Sequence, residues 1–208
     1  MADAPTRFPD RDGRPRREER QAAAGAFYRQ WLRKPLEVAA LTPSSSRLAA
    51  LVADAVGDAA RVLELGAGTG AVTEALVGRG FERLVVLETN AVFAGVLRER
   101  FPAVEVLEGD ARRAPALLAA ATGIREPTFD AVVCGLGMLT RPREEQRQLL
   151  AMMSGLTTPG GRIVQYSYSP VFPAARGVLE QLGLEARRAA VALFNLPPAS
   201  VFVVRRQH

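Results

Sequence analysis

Histidine and cysteine are nearly missing from this chain of 208 residues, which has one of each. The single cysteine, Cys134, rules out an intramolecular disulfide and fits a reducing compartment. The single histidine, His208, ends the sequence and reads as a frayed terminus. No histidine base and no metal site are therefore expected. No apolar run approaches the roughly 18 residues a membrane span needs. The opening MADAPTRFPDRDGRPRREER is too polar for a signal peptide, so a cytoplasmic protein is expected and any membrane role must be peripheral. Acidic residues are outnumbered, 22 against 27 Lys and Arg, for a net charge of +5 and a pI near 10.3. That balance favours a polyanionic partner, nucleic acid or an anionic bilayer surface, or it reflects only a GC-rich genome. What remains is ordinary: 48% hydrophobic and 24% charged residues, enough for one soluble domain with a sizeable core.

Along the chain, residues 1–15 read as a disordered tail and 16–57 as N-terminal helices, Arg16 to Lys34 stopping at Pro35. The second of these starts near Ser44, with Leu48, Leu51, Val52 and Ala55 at helical spacing. Residues 58–208 form the main domain. Strands are predicted at 61–65, 83–88, 103–107, 129–134, 161–168, 184–194 and 201–205. Helices are predicted at 70–79, 90–101, 113–122, 143–155 and 173–182. Near-continuous apolar strands alternating with helices imply an α/β fold, a doubly wound, mostly parallel seven-stranded sheet. The last two strands have NLPPA and no helix between them, so an antiparallel hairpin should close the sheet.

The stretch VLELGAGTG, Val62 to Gly70, carries the chemistry. Gly66 to Ala71 satisfies the dinucleotide pattern G-x-G-x-x-G/A, and Gly66 and Gly68 let a ligand approach the backbone. A pyrophosphate would be repelled by Glu64, two places earlier and facing the same crevice. A cationic ligand would be welcome. S-adenosylmethionine carries a sulfonium and an ammonium and no phosphate. Glu88 ends the second strand, where a carboxylate accepts both ribose hydroxyls, and Asp110 follows the third, where it can take the adenine amino group. Each alone has a structural reading: Glu64 capping a backbone amide, Glu88 a solvated strand end, Asp110 a helix cap. Three at successive strand ends, with the loop, point to the cofactor.

VLELGAGTG, the acidic end of strand two and EGDA resemble motifs of the class I methyltransferases. WLRKPLEVAALTPSSSRLA, FDAVVCGLGMLTRP, LTTPGGRIVQYSYSP and NLPPASVFVVRR resemble the soluble bacterial phospholipid N-methyltransferases that act on phosphatidylethanolamine. The resemblance covers about residues 27 to 206. It implies a Rossmann-like fold and methyl transfer from S-adenosylmethionine to phosphatidylethanolamine, towards phosphatidylcholine. S-adenosylhomocysteine would be the product. The enzyme would associate peripherally with the inner face of the cytoplasmic membrane. Cofactor-binding candidates are Glu64, Gly66, Gly68, Thr69, Glu88, Thr89, Asp110, Ala111 and Gly135. Three departures from the family pattern, Ala67 in the loop, Gly135 to Gly137 reading GLG, and Tyr168-Ser169-Pro170, bear on the substrate more than on the cofactor.

A protonated amine must lose a proton before it can accept a methyl group in line. Tyr166 and Tyr168 share a strand face ending at the crevice and are the candidates, through hydroxyl or cation–π contact, with Tyr168 preferred because it lies nearer the strand's carboxyl end and immediately precedes the Ser-Pro turn. Core packing at period two explains them equally. Asn195 is the next polar candidate, or else a partner for backbone at the Pro-Pro turn. In RQAAAGAFYRQWLRK, Phe27, Tyr28, Trp31 and Leu32 form a stripe among Arg16, Arg17, Arg20, Arg29, Arg33 and Lys34, an interfacial helix, a lid, or both. Two other functions compete. An RNA adenine N-methyltransferase would show Asn-Pro-Pro-aromatic or a close variant after strand four, where this chain reads CGLGML. A non-catalytic membrane-surface protein would have no need of the complete carboxylate set.

Overall fold

The computed structural model describes residues 46–123, 128–175, 177–193 and 198–207. Strands β1 (Arg61–Leu65), β2 (Arg83–Glu88) and β4 (Phe129–Cys134) are buried along almost their whole length. Parallel strands covered on both faces read this way, as continuous apolar runs. With β3 (Glu105–Glu108), β5 (Thr157–Ser167), β6 (Leu184–Ala192) and β7 (Ala199–Arg206) they make one sheet in the order β3-β2-β1-β4-β5-β7-β6. The first five strands pair in parallel, and β7 lies antiparallel between β5 and β6. This is the expected doubly wound sheet, and the hairpin closes it with the later strand on the inside.

Helices α1 (Ser46–Val56), α2 (Ala71–Val77), α3 (Ala91–Arg100), α4 (Ala114–Thr122), α5 (Arg143–Leu156) and the short α6 (Val178–Gln181) cover the sheet. Strand alternation divides the apolar side chains into two cores. Val62, Val86, Val133 and Val164 meet Leu48 and Val52 of α1, Leu76 of α2 and Leu97 of α3. Leu63, Leu65, Val85 and Val132 meet Leu118 of α4 and Leu149, Leu150 and Met153 of α5. The same alternation puts Glu64, Glu88 and Tyr166 on the α1–α3 face, at its carboxyl end. The strand order reverses between β1 and β4, where ligands of such sheets bind.

Several boundaries differ from expectation, two of them for identifiable reasons. The helix expected at 173–182 shrinks to α6, because Pro170 and Pro173 break the register and the Ala175 N–H is taken by the Gln146 side chain at 2.6 Å. β5 begins at Thr157, pairing Thr157 with Phe129 before an irregularity that absorbs the Pro-Gly-Gly stretch. Gly160 sits there at φ 78°, a conformation that favours glycine. β6 stops at Ala192, short of the expected 194. The tail at 1–15, the helix at 16–34, the Ser44 cap and Asn195 lie outside the described residues.

Candidate active site

From Leu65 the chain turns through Gly66-Ala67-Gly68-Thr69-Gly70 into α2. Gly66, Gly68 and Gly70 take φ of 76°, 57° and 86°, the left-handed region that side chains with a Cβ rarely enter. A Cβ on Gly66 would stand 2.6 Å from Leu136 Cδ2, and one on Gly70 2.6 Å from Leu97 Cδ2. These two glycines are needed for close packing. One on Gly68 would meet nothing within 4 Å, so Gly68 fronts open space that leaves room for a ligand against the backbone.

Three carboxylates stand at the ends of β1, β2 and β3, each with different partners. Glu64 is buried, with 1% of its surface exposed, and accepts a hydrogen bond from Thr73 Oγ1 of α2 at 2.7 Å. Burial, only partly offset by that bond and reinforced by the Glu88 charge, pushes its carboxyl from 4.5 to about 7. Near neutral pH it is therefore half protonated, and a cation placed beside it would favour the charged form. Glu88 is also buried. Its Oε2 accepts the Gly68 N–H and its Oε1 the Asn90 N–H, each at 2.8 Å. Asn90 in turn caps α3 through Val92 and Phe93 N–H. A carboxylate has about four acceptor sites, so Glu88 keeps two for a ligand diol while it braces the loop. Asp110 caps the 3-10 turn Ala111–Arg113 and is bracketed by the Arg112 guanidinium, with Nε at 2.9 Å from Oδ2. Those bonds hold its carboxyl below the usual range. The capping role is thus present, and an adenine amino group would share Asp110 with Arg112.

Among the other expected positions, Thr69 offers its carbonyl to Arg100 Nη1 at 2.7 Å, Thr89 is exposed at the end of β2, and Ala111 is buried. Gly135 lies hard against the glycine loop. A Cβ there would stand 2.5 Å from the Gly66 carbonyl oxygen and 2.6 Å from the Tyr166 hydroxyl. The Tyr166 ring therefore extends from β5 along the strand ends, bringing its Oη to the junction of the loops after β1 and β4. Tyr168 is half-buried against the α1–α3 core, and burial raises its hydroxyl above the ordinary value.

Three side chains that motif reading missed hold the site's framework. Thr73 fixes Glu64. Gln165, buried on β5, donates from Nε2 to the carbonyls of Cys134 at 3.2 Å and Leu136 at 3.3 Å. Gln146 of α5 donates to the Met138 and Arg141 carbonyls, both at 3.1 Å, and accepts from Ala175, tying the loop after β4 to the loop after β5. A glutamine inside the apolar run RIVQYS, and another on the apolar face of α5, were the available signals. Cys134 is buried and its thiol is pushed up to about 12 by burial. It is inert. Among the described residues no cluster could hold a metal ion.

A model of the methyltransferase domain matches residues 62–161, spanning the glycine loop, the three carboxylates and the loop after β4. An ornithine lipid N-methyltransferase from Singulisphaera acidiphila is 35% identical over 69% of this chain and 77% of its own length. The chain belongs to the class I S-adenosylmethionine-dependent methyltransferases. Solved structures agree on the fold. An amino pentose methyltransferase from Micromonospora echinaspora with S-adenosylmethionine bound superposes with a TM-score of 0.57 at 22% identity, over 87% of this chain and 96% of that one. A TehB-like methyltransferase from Corynebacterium glutamicum gives 0.60 at 18% identity, over 90% and 100%. S-adenosylmethionine is the methyl donor of this methyltransferase. The residues present fit it: an open cradle at Gly68, spare acceptors on Glu88, and in Glu64 a carboxyl that gains its charge when a cation arrives.

Proposed function

We propose that this methyltransferase methylates the amine of a membrane lipid, phosphatidylethanolamine in the first instance, producing phosphatidylcholine through successive transfers. The observation that carries the reading is the match to a lipid N-methyltransferase over 77% of that relative's length. Bound S-adenosylmethionine supplies an electrophilic methyl group that needs no further activation. The protein's own residues have the remaining work. Glu64, Glu88 and the Gly68 backbone hold the donor's charged and hydroxyl groups. In this reading the Tyr166 hydroxyl, beside Gly135, orients the amine and relays its departing proton to water. Its ring, with that of Tyr168, offers a π face to an amine that becomes permanently cationic after full methylation. Asn195 is a further headgroup contact in this reading.

The sequence 16–34, basic with an aromatic stripe, serves as an interfacial anchor, for a lipid substrate leaves its bilayer only at about 0.8 kcal/mol per methylene. Among the described residues no helix is long and apolar enough to cross a membrane; attachment in this reading is peripheral, at the inner face of the cytoplasmic membrane. A second reading, an ornithine lipid as acceptor, takes its support from the name of the same relative. Labelled S-adenosylmethionine incubated with vesicles holding phosphatidylethanolamine, with vesicles holding ornithine lipid, and with bulk RNA separates the possibilities. Label in phosphatidylethanolamine is expected. Label in RNA alone overturns the lipid reading.

A further inference from the structure

The carboxyl edge of the sheet is divided in two. The ends of β1, β2 and β3 present Glu64, Glu88 and Asp110. The segments that follow β4, β5 and β6, residues 135–142, 168–177 and 193–198, contain no Asp or Glu, and their only charged residues are Arg141 and Arg176. All three leave the same edge, because β4 and β5 are parallel and β6 regains their direction through antiparallel β7. At the usual strand spacing, β4 to β6 covers about 15 Å.

The described residues have six exposed large apolar side chains, and the three most exposed all lie here: Leu139 at 56%, Val171 at 67% and Leu193 at 69%. Apolar tips gathered on one edge, unlike scattered surface ones, mark an interaction surface. Cations flank them. Arg188 reaches from β6 to the Pro170 carbonyl beside Val171, with Nη1 at 3.1 Å. Arg141 binds the Gly137 carbonyl at 2.8 Å and meets Glu145 at 3.3 Å. Arg143 stands exposed at the start of α5. The loops are held in place by buried groups: Gln146 joins the first to the second, and Phe172 stacks edge-on against Phe202 at 5.6 Å. These are apolar tips beside an active site, on segments that carry no carboxylate, with Arg141, Arg143 and Arg188 near them and Glu144 and Glu145 in the first turn of α5.

We propose that Leu139, Val171 and Leu193 form a rim that seats the active-site mouth on an anionic lipid surface, so that an amine headgroup enters between the apolar rim and the carboxylate-lined donor site. Apolar side chains enter the acyl boundary while arginines meet lipid phosphates, the two attractions on which interfacial binding rests. The rim deepens the lipid-substrate reading and rests on it. It works beside any anchor at 16–34 and differs from it in purpose: it orients the crevice towards the bilayer.

The test places a cysteine at each tip in turn in the full chain (Leu139→Cys, Val171→Cys, Leu193→Cys) and couples it to a polarity-sensitive dye. Cys134 is buried and does not compete for the label. On adding vesicles of phosphatidylglycerol and phosphatidylethanolamine, the dye at all three positions is expected to shift to the blue and escape a water-soluble quencher. The combined Leu139→Ser, Val171→Ser, Leu193→Ser variant should lose about tenfold or more of its methyl transfer to vesicle-held lipid. On a short-chain, monomeric phosphatidylethanolamine it should keep wild-type turnover. Protein that floats with vesicles while all three dyes stay quenched overturns the rim, and so does protein that does not bind vesicles. A blue shift without lipid that grows with protein concentration, with a doubled mass, would make the edge a dimer face and also overturn it. Failure of the wild type to methylate either form of the lipid refutes the substrate reading instead.

Discussion

Replacing Glu64 by glutamine keeps the side chain's shape and an acceptor for the Thr73 hydroxyl while removing its proton equilibrium. In the folded protein the carboxyl holds its proton to about pH 7, against 4.5 ordinarily. Between those values the unfolded chain has released the proton and the folded chain retains it. The folded state then binds more protons, so wild-type stability falls as pH rises from 4.5 to 7 and levels off above. At about 1.4 kcal/mol per pH unit the gap amounts to about 3 kcal/mol. Glu64→Gln escapes this loss. Its advantage over wild type, absent near pH 4.5, should grow to about 3 kcal/mol by pH 8, or about 6–12 °C in Tm for a domain of this size. Thermal unfolding of both cofactor-free proteins from pH 5 to 9 measures it, and the difference between them cancels the titrating groups that do not interact with Glu64. The same substitution should weaken S-adenosylmethionine, and wild-type affinity should rise with pH towards 7 while the variant's does not. Parallel stability curves for the two proteins would refute the reasoning, because they would mean that Glu64 is ionised in the free enzyme.

Glu88→Ala removes the acceptor of two backbone N–H groups and the proposed diol contact, and calorimetry should show S-adenosylmethionine binding weaker by about 1.5–3 kcal/mol; unchanged affinity would exclude Glu88 from the site. Tyr166→Phe should lower turnover by about 10²–10⁴-fold at nearly constant Tm if its hydroxyl handles the amine's proton, whereas a parallel loss of about 1 kcal/mol of stability would mark a packing role. Tyr168→Phe should be tolerated and Tyr168→Ala should release partly methylated lipid, as a π-face contact requires; mass spectrometry of the product checks this. Gly135→Ala drives a methyl into the Gly66 carbonyl, 2.5 Å away, and should cost about 1–3 kcal/mol of stability with loss of cofactor binding. Since the obstacle includes backbone, a second Tyr166→Phe change should not restore it.

Much of this was legible in the order of residues. RLVVLE and FDAVVC are apolar without alternation because β2 and β4 are covered on both faces, so composition alone implied a parallel sheet. Glu64 stands two residues before Gly66, and alternation along a strand is local geometry, so its face followed from its position. Local rules failed where neighbours intervened, as when prolines and the Gln146–Ala175 bond reduced a predicted ten-residue helix to Val178–Gln181.

The sequence by itself determined the sheet, the glycine turn and the acidic residues at three strand ends, because those depend on periodicity and on backbone conformations that only glycine takes readily. Tertiary structure decided what each group became. The surrounding core, opposed only in part by the hydrogen bond from Thr73 on the following helix, makes Glu64 a carboxyl that titrates near neutrality, while Arg112 turns Asp110 into an ion pair. The order β1-β4-β5 brings the Tyr166 hydroxyl to Gly135 across 31 residues of chain, and β7, by lying between β5 and β6, carries Leu193 to the same edge as Leu139 and Val171. Burial and strand order are properties of the whole packed chain, and through them the buried carboxyl of Glu64 and the ion-paired carboxyl of Asp110 are shifted in opposite directions along one edge of the sheet.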